Sequence, residues 1–119
     1  MDSKTIKELC NSLPGGVFDY KPEWDVEWAV VGGKMFAAYS YDNLDNRILS
    51  LKAEPDNVID LCLTYPDVIV PGYHFNKRHW ISIRLDKGVD NALVEQLIKD
   101  SYYLVFAKLT KRVQLELAE

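Results

Sequence analysis

The stretch Val26-Glu27-Trp28-Ala29-Val30-Val31-Gly32-Gly33-Lys34-Met35-Phe36-Ala37-Ala38-Tyr39-Ser40 decides the fold. Val26, Trp28 and Val30 alternate with Glu27 and Ala29, the two-residue period of a half-buried strand. Gly32-Gly33 follows as a two-residue link, and glycine's tolerance of positive φ suits the primed turns of tight hairpins. Lys34 to Ser40 then returns as a second strand. Asp42-Asn43-Leu44-Asp45-Asn46 is a polar loop, and Arg47 to Lys52 reads as a third strand. Three consecutive strands with short links predict an antiparallel meander.

Helical patterns flank this meander. Before it, Ser3 is a candidate cap, and Ile6, Leu9, Cys10 and Leu13 form one apolar stripe that Pro14-Gly15-Gly16 ends. After it, Pro55-Asp56 opens a second helix with Val58, Ile59, Cys62 and Leu63 as its buried stripe. Tyr65-Pro66 stops that helix, because the residue before proline is pushed out of helical geometry. The short apolar run Val68-Ile69-Val70 leads into a turn at Pro71-Gly72. Trp80 to Leu85 is a strand with Ile81, Ile83 and Leu85 on one face and Trp80, Ser82 and Arg84 on the other, and Asp86-Lys87-Gly88 closes it. Asp90 caps a long third helix, in which Leu93, Val94, Leu97, Ile98, Ser101, Tyr102, Leu104 and Val105 give a broad apolar face. The tail over residues 108–119 fits a strand or a helix equally well. The order α-β-β-β-α-β-α predicts an α+β domain of two layers, an antiparallel sheet with helices packed on one face and the other face left partly open.

With 119 residues, of which 48% are hydrophobic and 27% charged, the chain is expected to be a single domain over residues 1–119. Its net charge of −4 argues against a strongly basic nucleic-acid coat or a membrane-surface module. No apolar run approaches the roughly 20 residues needed to span a bilayer, and the polar start Met1-Asp2-Ser3-Lys4 is no signal peptide. Cys10 and Cys62 fall within apolar helical stripes, as buried thiols of a reducing compartment would. A cytoplasmic location is therefore expected.

Charge is unevenly spread. Residues 68–85 carry three cations, Lys77, Arg78 and Arg84, and no acid, together with both histidines, His74 and His79. The run reads Pro71-Gly72-Tyr73-His74-Phe75-Asn76-Lys77-Arg78-His79-Trp80. Cations interleaved with aromatic rings suit a partner with phosphates and stacking bases, and Asn76 adds groups that can read polar edges. Other constellations carry less. His74 and His79 have no Cys, Asp or Glu beside them, so no metal site is expected. The acids Asp19, Glu23, Asp25 and Glu27 read as a solvated face. Gly32-Gly33-Lys34 lacks the spacing of a phosphate loop, and Ser101 lies mid-helix without a nucleophile elbow. No catalytic set and no cofactor site assembles, so an enzyme is not expected.

The segments Pro71-Gly72-Tyr73-His74 and Asn76-Lys77-Arg78-His79-Trp80 resemble the signature of the MmcQ/YjbR family of small bacterial proteins. The resemblance extends along most of the chain, through Leu13-Pro14-Gly15, Gly33-Lys34-Met35-Phe36-Ala37, Leu51-Lys52, Tyr65-Pro66 and Ser101-Tyr102. It implies a fold of the frataxin-like or double-wing kind and a role in DNA binding, a label that rests on fold likeness. Carried over residue by residue, it points to Lys52, His74, Asn76, Lys77, His79 and Trp80 as a shared site. The acidic, aromatic stretch Asp19-Tyr20-Lys21-Pro22-Glu23-Trp24-Asp25 departs from the family pattern and is expected to alter the surface beside it.

Two functions follow as expectations. The first is a DNA-binding module that uses the basic-aromatic segment over residues 71–84, with Lys52, His74, Asn76, Lys77, Arg78, Trp80 and Arg84 as binding residues. The alternative is a non-catalytic module for a small ligand, such as an anionic metabolite, or for a protein partner. Strand alternation refines both: Trp80 and Arg84 share the face away from the helices, whereas His79 sides with Ile81 and Ile83 as a structural histidine.

Overall fold

The computed structural model describes residues 1–118. Six strands, β1 (Gly16–Lys21), β2 (Val26–Val31), β3 (Lys34–Tyr41), β4 (Arg47–Lys52), β5 (Ile69–Pro71) and β6 (Trp80–Arg84), form one antiparallel sheet. Their order across the sheet is β1-β2-β3-β4-β6-β5. Helices α1 (Ser3–Ser12), α2 (Pro55–Thr64), α3 (Asn91–Phe106) and α4 (Lys111–Leu117) cover one face. The domain is α+β, as the meander predicts.

The central hairpin forms for the reason its glycines suggest. Gly32 and Gly33 take φ of 57° and 78°, the pair of positive values that a type I′ turn needs. The registers Phe18↔Ala29↔Ala37↔Leu51↔Ile81 and Tyr39↔Leu49↔Ile83↔Ile69 supply the row of buried side chains beneath the helices. Between Ala29 and Val30 the register shifts, which leaves Phe36 without a partner on β2. Its ring meets Tyr102 of α3 edge-on, with centroids 5.4 Å apart. Trp28, Ala38, Ser50, Ser82 and Val70 form the matching row on the opposite face.

Several sequence expectations are corrected. Two strands are additional: β1 pairs with β2 along its whole length, and β5 is an edge strand of three residues. Pro71 is tolerated in β5 because an edge strand need not donate on both sides. Asp2, not Ser3, caps α1, its carboxylate accepting from the Thr5 amide at 2.9 Å. On α2, Ile59 and Leu63 are 58% and 76% exposed; Val58 is buried, and Leu61, Cys62 and Tyr65 pack beside it. Both stripes satisfy the helical period, and the position of the sheet selects between them. The tail is helical: Thr110 caps α4 through Val113, and Leu117 packs back on the core. Residue 119 lies outside the described residues.

Asp90 caps α3 as expected, and Ile6 and Cys10 are fully buried on α1. Burial pushes the Cys10 thiol up to about 12, whereas Cys62 is only half-buried and its thiol is raised less. An aromatic disulfide reagent at pH 8 should therefore modify Cys62 in the native protein and Cys10 only after unfolding. The unfolded thiol titrates near 9, so the Cys10 contribution to stability is complete below that pH. It should decline as pH rises towards 12, which denaturant midpoints measured between pH 8 and pH 11 would show. Equal modification of both thiols in the native state would contradict the packing of α1.

Candidate functional site

Helices cover one face of the sheet, and two loops fold over the other. The first is the segment between β5 and β6. Gly72 donates its amide to the Trp80 carbonyl at 2.7 Å, and Tyr73 donates its amide to Ser82 Oγ at 2.8 Å. Asn76 Oδ1 accepts from the Arg78 amide, and Lys77 Nζ donates to the Gly72 carbonyl at 2.9 Å. The Tyr73 hydroxyl accepts from the Asn43 amide, which ties this segment to the β3–β4 loop. The segment thus closes on itself and lies across the sheet, which is why Ser82 is fully buried on the face away from the helices. Ser82 and Ser50 hydrogen-bond across β6 and β4 at 2.7 Å.

The second cover is the β1–β2 turn. Trp24 and Asp25 donate their amides to the Lys21 and Pro22 carbonyls, and Asp25 takes a φ of 51°. Asparagine and aspartate tolerate that left-handed geometry better than most residues. The Lys21 ammonium lies 4.1 Å from the Trp28 ring centroid and 4.9 Å from that of Trp24, while pairing with Glu23 at 2.8 Å. This holds Trp24 over the sheet, edge-on to Trp28 and 6.3 Å from Phe75 of the other loop.

An open cleft of about 590 Å³ remains between the two loops. Its walls are Trp24, Asp25, His74 and Phe75, and its floor is Val26, Ser40 and Tyr41. A separate hollow of about 250 Å³ is lined by Tyr20, Asp25, Val26, Glu27, Tyr39, Ser40 and Tyr41, and the registers put Tyr20, Glu27 and Tyr39 on the helix side of the sheet, with Phe18, Ala29 and Leu49. The Tyr20 hydroxyl donates to Asp25 Oδ1 at 2.6 Å, and that hydrogen bond raises the phenol's pKa. Tyr20 thus holds its proton on the carboxylate.

The structure divides the residues singled out from sequence. Trp80 and Arg84 do share the face away from the helices, but Phe75 lies against the Trp80 ring, with centroids 5.2 Å apart and planes 31° apart. Arg84 donates to the Asp67 carbonyl at 3.1 Å. Its charge also bears on Asp42: partial burial raises that carboxyl, but hydrogen bonds from Asn46 and Leu44, together with Arg84, hold it below its usual value. His74 is exposed at a φ of 71° and lines the cleft. Asn76 and Lys77 are engaged within their own loop, and Arg78 is exposed and makes no ion pair among the described residues. Lys52 and His79 line a separate hollow at the helix side, with Leu104 and Lys108. His79 lies on that side as expected, its carbonyl accepting from Ala53 at 2.9 Å. Trp24, Asp25, Val26, Ser40, Tyr41 and Phe75 were not among the binding residues expected from sequence. Their signal was a tryptophan within the polar turn Pro22-Glu23-Trp24-Asp25, inside the stretch that departs from the family pattern. Among the described residues, no group of three or more His, Cys, Asp or Glu is placed to hold a metal ion.

The profile of the YjbR family matches residues 11–104, which include all six strands, α2 and most of α3. The chain belongs to the YjbR family. Among YjbR-family relatives, YbdF, an uncharacterized protein of Escherichia coli O157:H7, is 37% identical over 113 residues, covering 93% of this chain and 89% of its own. The uncharacterized protein YjbR of Escherichia coli strain K12 is 30% identical over 102 residues, covering 82% and 84%. The crystal structure of Deinococcus radiodurans protein DR2400, with a DUF419 domain, superposes with a TM-score of 0.85 at 31% identity, covering 97% of this chain and 86% of that one. A Pseudomonas syringae protein of known structure shares the fold with a TM-score of 0.75 at 24% identity, over 88% of this chain and 99% of its own. The YjbR-family signature can now be placed in space: it is the loop that closes on itself between β5 and β6. No helix among the described residues is long and apolar enough to cross a membrane.

Proposed function

We propose that this YjbR-family protein is a non-catalytic binding module that seats a small ligand in the aromatic cleft on the open sheet face. The observation that carries this reading is the cleft itself. Its volume of about 590 Å³ lies within the roughly 300–1,000 Å³ usual for ligand sites. It also combines what such sites combine: apolar and aromatic walls at Trp24, Val26 and Phe75, and a few polar groups at Asp25, Ser40 and His74.

The DNA-binding alternative needs cations gathered on one surface. Here Lys77 is bound to its own loop, Arg84 to the Asp67 carbonyl, and Lys52 lines a hollow at the helix side. Arg78, exposed in the same loop as Phe75, is the feature that speaks for it.

One pair of experiments separates the two. Saturation-transfer NMR with a library of small aromatic compounds of positive, zero and negative charge should give binders that Trp24→Ala abolishes. Trp24 is 51% exposed, so its removal should leave the fold intact. Mobility-shift titrations with single-stranded and duplex DNA at two salt concentrations form the second arm. Steeply salt-dependent binding lost in Arg78→Ala but retained in Trp24→Ala, with no library compound bound, would replace this reading with the nucleic-acid one.

A further inference from the structure

The charges around the cleft identify the chemistry of its occupant. We infer that the ligand is an organic cation, an ammonium or amidinium group carried on an apolar or aromatic body; this rests on the cleft being a ligand site. Three observations lead to it.

The first is the sign of the lining. Asp25 lies in the wall of the cleft, and no lysine or arginine lines that space among the described residues. An anion entering there would face a carboxylate without a compensating cation, whereas a cation gains a charge-assisted hydrogen bond. The second is the state of Asp25. Its Oδ1 accepts from the Tyr20 hydroxyl, and no hydrogen bond to Oδ2 occurs among the described residues. The Tyr20 contact orients the carboxylate and leaves one oxygen for a donor brought by the ligand. The third is the behaviour of the rings. Trp24 and Trp28 already hold the Lys21 ammonium at 4.9 Å and 4.1 Å, well within the roughly 6 Å range of cation–π attraction. Glu23 neutralises that ammonium at 2.8 Å, so Lys21 adds little repulsion to a second cation. Trp24 and Phe75, with ring centroids 6.3 Å apart, then offer π faces in the walls that include the carboxylate, the combination that recognises alkylammonium groups.

This reading departs from the anionic metabolite expected from sequence. That expectation rested on the polar loop from Tyr73 to His79, whose cations Lys77 and Arg78 do not line the cleft.

The test compares three probes with the same benzene body: benzylammonium, benzyl alcohol and benzoate. Each is titrated into the full isotope-labelled chain and followed by amide chemical shifts. The cation should shift the amides of Trp24, Asp25, Ser40 and Phe75 and bind about tenfold more tightly than the alcohol, with benzoate weakest. Asp25→Asn keeps an acceptor for Tyr20 while removing the charge. It should cut the cation's advantage to within about twofold and leave the alcohol's affinity unchanged. If the alcohol or benzoate binds in the cleft as tightly as the cation, or Asp25→Asn changes nothing, the cationic ligand is wrong and the cleft remains a site for another class. If no probe shifts the cleft amides and the wider library also yields no binder sensitive to Trp24→Ala, both this inference and the proposed function fall.

Discussion

Gly72→Ala should destabilise the protein by about 2–3 kcal/mol, the cost typical of forcing atoms into an already filled space. A β-carbon built on Gly72 would lie 2.6 Å from the Trp80 β-carbon, and 3.1 Å and 3.2 Å from the Trp80 carbonyl oxygen and carbon. These neighbours are backbone or directly attached to it, so they cannot rotate aside. The close approach is required by the fold, because the Gly72 amide hydrogen-bonds the same Trp80 carbonyl at 2.7 Å. Pushing the strands apart would break that bond, the Lys77 contact to the Gly72 carbonyl, and the Tyr73 contact to Ser82. The damage should reach the cleft as well, since His74 and Phe75 follow directly on the displaced residues. Urea unfolding gives the stability change. Amide exchange adds a local readout: Tyr73 and His79 should lose protection before the core of β3 does. A variant within about 0.5 kcal/mol of the parent, with unchanged exchange at Tyr73, would show that the loop is not held as described.

That result bears on why the architecture was legible in the sequence and the site was not. The meander announced itself because a period of two, a glycine pair and a polar loop are all local signals. Strands β1 and β5 were not announced. In β1 only Phe18 is buried, so its pattern lacks an apolar face, and β5 is three residues long. The stripe of α2 was misplaced because Val58-Leu61-Cys62-Tyr65 and Val58-Ile59-Cys62-Leu63 fit the same helical turn. Only the tertiary context decides between them.

The family signature has a different lesson. Asn76 and Lys77 look like ligand-reading groups in one dimension, but in three they fasten a loop. The other segments carrying the resemblance behave alike. The Pro14 carbonyl accepts from the Tyr102 hydroxyl, and Ser101 bonds both Phe36 and Lys52. These segments lie far apart in the chain and meet as joints, so likeness in them reports a shared fold more directly than a shared ligand. The cleft draws one wall, Trp24 and Asp25, from the stretch where this chain departs from the pattern, and the other, His74 and Phe75, from the signature loop itself.

The second large effect belongs to Ser101. Ser101→Ala should cost about 2–4 kcal/mol although it removes a single oxygen atom, because it strands two backbone groups at once. Ser101 is fully buried in α3, donates to the Phe36 carbonyl, and accepts from the Lys52 amide at 2.8 Å. Phe36 stands at the register shift in β3 and Lys52 at the end of β4, so the hydroxyl satisfies groups that the sheet ladder leaves unpaired there. Alanine fits the space but offers neither donor nor acceptor, and the surrounding Phe36 and Tyr102 rings keep water out. A mid-helix serine is commonly neutral or mildly unfavourable because it bonds back to its own helix; here it bonds the sheet instead, which reverses the sign. Denaturant titration of Ser101→Ala should show the lowered midpoint with an unchanged slope, and Lys52 amide exchange should accelerate. Cysteine at the same position keeps a weak donor and acceptor of similar size and should recover part of the loss. If alanine were as stable as serine, the two hydrogen bonds would contribute nothing net, and Ser101 would revert to a packing residue. A loss recovered in part by cysteine identifies the hydroxyl as the pin between α3 and the sheet whose other face carries the cleft.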